Sequence, residues 1–242
     1  LRQVIFMVFV LILTGMGGYI IFPQLAPVFL ANLYLNGLIF VVFLFGVVAC
    51  FWQVAQLMSS ISWLKRVAKN ETDVAYSRTP GLLASLVAVL NAGGYKMKVT
   101  SASARTILDS IATRMDESRD ITRYVINLLI FLGLLGTFYG LAITIPGVVD
   151  TIRALNPKEG ESGVEVFAKL MDGLESQLAG MGTAFSSSLL GLAGSLVVGL
   201  LELFAGHGQN RFYRQIEEWL SSVTKFSFAG NEPLSEDANI RA

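Results

Sequence analysis

Apolar residues run along this chain in four long uncharged stretches: Gln3 to the Pro23 region, Val28 to Ser62, Tyr124 to Val149 and Ser176 to Leu201. A bilayer core of about 30 Å needs roughly 20 residues of helix to cross it, and each stretch is long enough. None alternates apolar and polar positions as a barrel strand does, and in hydrocarbon each backbone amide must be paired within its own segment. The pattern therefore predicts an all-α integral membrane protein with four transmembrane helices. The second stretch is over-long, so the residues around Pro27 and Asn32 are expected in a turn and Ser59 to Trp63 at the interface. Val4 to Phe22 has no small-residue cleavage pattern and is read as a span, not a signal peptide.

Polar segments between the stretches set the orientation. Lys65, Arg66, Lys69, Arg78, Lys96, Lys98, Arg105, Arg114, Arg119 and Arg123 lie between spans two and three, and Arg211, Arg214 and Lys225 follow span four. Cationic segments stay on the cytoplasmic side. The segment from Asp150 to Glu175 has Asp150, Glu159, Glu161, Glu165, Asp172 and Glu175 against Arg153, Lys158 and Lys169, which suits the opposite side. Both termini are thus expected inside. Helical signals extend into the polar segments. Thr79 and Pro80 start a short helix that Asn91 to Gly94 stops. From about Ser103, Ile107, Ile111 and Met115 recur at helical spacing with no glycine or proline before Gly133, so span three should continue as one long rod. Phe212, Ile216, Trp219, Leu220 and Val223 do the same after span four, until Gly230 and Pro233. The expected organisation is an N-terminal hairpin (3–63), a cytoplasmic helical region (64–123), a second hairpin with an acidic periplasmic loop (124–205) and a cytoplasmic helix and tail (206–242).

Composition agrees, at 53% apolar and 15% charged residues. The net charge is zero and the cations are dispersed, so no nucleic-acid surface is expected. One cysteine, Cys50, and one histidine, His207, leave no disulfide and no metal-ligand cluster. No carboxylate pair in a credible pocket suggests an enzyme, and no cofactor is expected.

Candidate chemistry lies on two stripes of small and hydroxylated residues. Gly133, Thr137, Gly140, Thr144 and Gly147 alternate spacings of four and three and share one face of span three, with Gly136 beside them. Ala184, Ser188, Gly191, Ser195 and Gly199 do so on span four, flanked by Thr183, Ser187 and Gly194. Such faces let backbones approach closely, and hydroxyls on them can bond across helices or contact water. The ordinary alternative is packing, with each hydroxyl bonded to its own helix. Gly136 and Gly140 form a G-x-x-x-G pair but no nucleotide loop, since they lie inside an apolar span and follow no strand. Neither span contains a carboxylate, the usual intramembrane proton carrier; Glu202 comes only at the inner edge. It is read as an interfacial charge turned to headgroups or water, with a vestibule role as the alternative.

The run Leu132-Gly133-Leu134-Leu135-Gly136-Thr137-Phe138-Tyr139-Gly140 resembles the G-x-x-G-T-x-x-G signature of the MotA/TolQ/ExbB proton-channel family. The run Gly182-Thr183-Ala184-Phe185-Ser186-Ser187-Ser188-Leu189-Leu190-Gly191-Leu192 resembles that family's last helix. The resemblance covers about Ser103 to Phe226, with the first hairpin alike only in hydropathy. Four spans with both ends inside resemble the flagellar-stator branch, and the phrasing of the motifs also resembles the motor subunit of Zorya anti-phage systems, without the long tail expected there. The resemblance implies a homopentamer around two copies of a single-span partner like MotB, ExbD or TolR, each supplying an essential aspartate. It places Thr137 and Ser188 at the pore hydroxyls, with Thr183 and Ser187 lining or bordering the path, and gives Gly133, Gly136, Gly140 and Gly191 to close helix packing. Thr183 stands where the Tol and Ton branch has a glutamate, which puts the carboxylate on the partner. The expected function is a proton- or sodium-channel stator subunit that turns ion flow into rotation or force. A small secondary transporter, with breaks at Pro146 and at Gly15 to Gly18, and a non-conducting membrane scaffold are the alternatives.

Overall fold

A computed structural model describes residues 2–68, 81–93, 101–154 and 163–229. Its elements are α1 (Arg2–Ala31), α2 (Leu33–Ala68), a 3-10 turn (Gly81–Leu83), α3 (Ala84–Gly93), α4 (Ser101–Ala154) and α5 (Gly163–Ala229). There is no strand among the described residues. Four of the helices, α1, α2, α4 and α5, are long and apolar enough to cross a membrane, and at most 33% of the apolar window of any of them is buried. That much exposed Leu, Ile, Phe and Val is untenable in water and ordinary in lipid. The chain is an all-helical membrane protein.

Contacts divide the chain into two compact units, Leu1–Cys50 with Ile121–Glu202 and Phe51–Asp120 with Leu203–Ala242. In the first, α1 runs through Pro23 and Pro27, and Asn32 alone turns the chain into α2. The turn is tied on both sides: Asn36 donates its backbone N–H to Asn32 O at 2.9 Å and its side-chain amide to Phe29 O at 3.3 Å. Asn36 is buried, where an amide without such partners would cost about 1–3 kcal/mol. The turn expected around Pro27 and Asn32 is therefore tighter than its sequence suggests, since a proline can be carried inside a helix when neighbouring groups satisfy the freed carbonyl. Helix α1 exposes Ile5, Phe9, Ile12, Leu13 and Met16 and buries Met7 and Val10.

The second unit has its own apolar core. Leu57 and Trp63 of α2, Leu83 and Leu86 around the start of α3, Ile107, Ile111 and Met115 of α4, and Phe212, Ile216 and Leu220 of α5 pack together. These include the positions whose 3.6-residue period continues the apolar pattern beyond each span. The 3-10 turn and α3 occupy the place expected for a short helix; Thr79 and Pro80, the expected start signal, lie outside the described residues. Arg119 fastens α4 to α5 here. Its guanidinium donates to Gln209 Oε1 at 2.6 Å, to Asn210 Oδ1 at 2.7 Å and to Gly206 O at 2.9 Å. Arg114 reaches Gly81 O at 2.8 Å and Gln53 reaches Ser118 O at 2.6 Å, so α4 is tied to the 3-10 turn and to α2 through backbone carbonyls.

At 54 residues α4 is about 81 Å long and at 67 residues α5 is about 100 Å, each much longer than a bilayer core.

Candidate functional site

The two small-residue stripes meet each other. A Cβ built on Gly191 would stand 2.6 Å from Leu129 O and 2.7 Å from Gly133 Cα, and one on Gly133 would stand 3.1 Å from Ser188 O. Gly140 lies against Ala184, Gly173 against Thr151, and a Cβ on Gly180 would stand 2.7 Å from Thr144 Cγ2. These pairings fix one antiparallel register, with Gly133 level with Gly191, Gly140 with Ala184, Thr144 with Gly180 and Thr151 with Gly173. The backbones approach more closely there than any side chain larger than hydrogen or methyl allows. Beyond Gly140 the seam is polar: Gln177 donates its side-chain amide to Thr144 O, beside Gly147 and Pro146. Pro146 has no N–H to give Ala142 O, so α4 lacks one helical hydrogen bond a few residues from the carbonyl that Gln177 takes.

One edge of this seam is covered by α2. Leu35 Cδ2 lies 3.3 Å from a Cβ on Gly136, Phe43 lies 3.4 Å from one on Gly194, and a Cβ on Gly46 would stand 3.0 Å from both Val125 and Val198. Cys50 is buried on the same side, its Sγ 4.0 Å from Val198 O. At about 100° per residue, Val125, Leu132 and Gly136 of α4 and Ser187, Gly194 and Val198 of α5 all fall on this edge. Ser187 is completely buried there, next to Gly136, whose Cβ would come within 2.6 Å of the serine Cβ.

The opposite edge is open. Leu134 and Leu141 of α4 and Phe185, Leu192 and Leu196 of α5 lie on it and are exposed. Thr137 and Ser188 also fall on that edge, both half-buried, and the register puts them level with one another. The two hydroxyl residues share that edge with apolar side chains. Thr137 donates its hydroxyl to Leu134 O at 2.7 Å, leaving the oxygen to accept from a water or a donor opposite it. The same internal satisfaction occurs at Thr144 (to Leu141 O, 3.0 Å), Ser186 (to Gly182 O, 2.7 Å) and Ser195 (to Leu192 O, 2.8 Å). Thus Thr137, Thr144 and Ser195 of the two stripes bond to their own helices, and what distinguishes Thr137 and Ser188 is the edge they occupy.

The expected site residues therefore separate. Gly133, Gly136, Gly140 and Gly191 converge on the α4–α5 seam of a single chain. Thr137 and Ser188 share the open edge, and Ser187 sits on the covered one. Thr183 belongs to α5, but its side chain lies outside the described residues. A feature that residue spacing did not single out is the ion pair closing the seam in the first unit: Arg123 Nε lies 3.9 Å from Glu202 Oε1. Its signal in the sequence is that Arg123 and Glu202 are the charges that bound the two uncharged stretches on the side of the second unit. Among the described residues, no group of His, Cys, Asp and Glu comes together as a metal site. No family model, curated protein or solved structure matches this chain.

Proposed function

We propose that this chain is the channel-forming subunit of an ion-driven motor, a proton- or sodium-conducting stator that assembles as a homopentamer in a bacterial inner membrane. The observation that carries the reading is the hydroxyl pair Thr137 and Ser188, level with each other on the edge of the α4–α5 seam that α2 leaves open. Repeated around a ring of copies, that edge would present hydroxyl oxygens, set among apolar side chains, to whatever occupies the centre. The uncharged stretches Tyr124 to Val149 and Ser176 to Leu201 supply no carboxylate, so the proton- or cation-binding group would come from elsewhere. Two copies of a single-span partner, each bringing an aspartate to the hydroxyl ring, would complete the path. The motif from Gly133 to Gly140 and its counterpart around Ser188 support the same assignment. In this reading both termini are cytoplasmic, the second unit is the cytoplasmic part formed by extensions of the spans, and its helices transmit force to a rotor or effector. A charge crossing 100 mV releases about 2.3 kcal/mol, several times thermal energy, which is enough to drive small repeated steps.

A second reading, a non-conducting scaffold, is favoured by the way the four motif glycines all close the seam between the chain's own α4 and α5, Gly133, Gly136 and Gly140 on α5 and Gly191 on α4. The Thr137→Val variant separates the two. It keeps the shape of the side chain and removes the hydroxyl, so on the channel reading ion flux into vesicles falls at least about tenfold while the native mass of the assembly stays the same. Unchanged flux in that variant and in Ser188→Ala would leave the stripes as packing alone. The native mass is itself a test: a pentamer carrying two copies of a single-span protein is expected, and a monomer or dimer without one would overturn the motor architecture.

A further inference from the structure

Glu202 and Arg123 mark the end of the seam, and they are unequal partners. The Glu202 side chain is 19% exposed and that of Arg123 64%. Seven residues separate Glu202 from Ser195, about two turns, so it continues the line of α5 that faces α4. By the same register Arg123 stands level with it, and helical rotation places Arg123 on the side of α4 that carries Thr137. Fourteen residues, about 21 Å of helix, separate Glu202 from Ser188. The 3.9 Å between Arg123 Nε and Glu202 Oε1 exceeds hydrogen-bond range, so those two side chains interact as two charges. No other acidic or basic residue lies on either helix between this pair and Asp150 or Glu175.

From this geometry we infer that Glu202 is a charge-compensating residue at the mouth of the ion path, holding the Arg123 guanidinium neutral in effect so that a cation can pass the end of the open edge. The inference rests on the channel reading above. A clasp between helices would make the two side chains equivalent in their effects. Charge compensation makes them opposite: an Arg123 left alone would put a net positive charge at a narrow mouth bounded by apolar walls, where local fields alter cation concentration by tenfold or more. A Glu202 left alone would attract cations to the same point.

The experiment uses the chain co-expressed with a single-span partner of the MotB, ExbD or TolR kind, in sealed membrane vesicles, with a pH-sensitive dye reporting protons and a sodium-sensitive dye reporting sodium. Glu202→Gln is expected to lower flux about tenfold. Arg123→Gln should leave flux at or above that of the unaltered protein, and the double variant should return it to within about twofold, with the native mass of the assembly the same throughout. Equal losses in the two single variants would assign the pair to a structural clasp and overturn the inference, as would unchanged flux in Glu202→Gln. If Glu202→Gln does not assemble, Arg123→Gln decides, because a loss of flux there contradicts compensation. An unaltered complex that carries neither ion would sink the channel reading itself, whereas conduction with any of those contrary variant patterns overturns only the role given to Glu202.

Discussion

A glycine matters in this protein according to what faces it. Gly140 lies against Ala184, where an added methyl meets both the alanine side chain and its backbone. Gly140→Ala is therefore expected to destabilise the protein by about 1–3 kcal/mol, the usual result of overpacking. The compensating change Ala184→Gly should recover much of that loss, as read by thermal unfolding of the detergent-purified protein. Gly17 has nothing within 4 Å of its Cβ position, so Gly17→Ala should be neutral or stabilising by up to about 1 kcal/mol in the same measurement. Both residues look alike as letters in an apolar run. Their different outcomes follow from one sitting at a backbone-to-backbone contact and the other on a face of α1 with no neighbour. Ser187 and Ser188 teach a similar lesson, being adjacent in sequence yet about 100° apart around α5, one sealed beneath α2 and the other on the open edge.

Helices α4 and α5 pair in a register that cysteine cross-linking can read. The Cβ of a side chain at Gly180 would lie 2.7 Å from Thr144 Cγ2, which brings the two Cβ atoms near the spacing a disulfide requires. In a Cys50→Ala background, Thr144→Cys with Gly180→Cys should oxidise readily to an intramolecular bridge. Thr144→Cys with Met181→Cys should not, because Met181 is turned about 100° from Gly180 around α5, towards the open edge. Equal bridging of the two pairs would mean that the register slips. The two stripes and their faces were legible in the sequence, since small residues at alternating spacings of three and four can only form one helical face. Which face each stripe would meet was not legible, because a periodic pattern defines a surface without naming its partner. The choice of edge covered by α2 depended on Leu35, Phe43 and Gly46, whose letters are indistinguishable from the lipid-facing residues around them.

Four spans and two compact units make up the molecule, with α2, α4 and α5 each contributing to both units. The arrangement of charge along the chain predicts its sidedness. A cysteine replacing exposed Asp116, again in a Cys50→Ala background, should react with a membrane-impermeant maleimide only when the cytoplasmic face is accessible. One replacing Asp172 should react only from the opposite side. Labelling of both from the same side would reverse or abolish the proposed topology. The core of the second unit offers a separate measurement, for Ile111 is wholly buried among Met115, Phe212 and Ile216. Ile111→Ala should cost about 2–5 kcal/mol of stability, seen as increased proteolysis of the polar half of the chain.

The sequence by itself determined that the chain is helical, that four of its helices are long and apolar enough to cross a membrane, and which faces of α4 and α5 are small and hydroxylated. Those features follow from composition and period, because lipid imposes helices of a minimum length and a helix imposes 3.6 residues per turn. Tertiary structure alone decided that the two stripes close on each other, that α2 seals one edge and leaves Thr137 and Ser188 on the other, and that Glu202 meets Arg123 at the end of the seam. These are outcomes of register and relative rotation, which depend on the summed fit of many side chains of near-equal hydrophobicity. No single residue or local pattern encodes them, since between apolar helices it is shape, rather than polarity, that selects the partner.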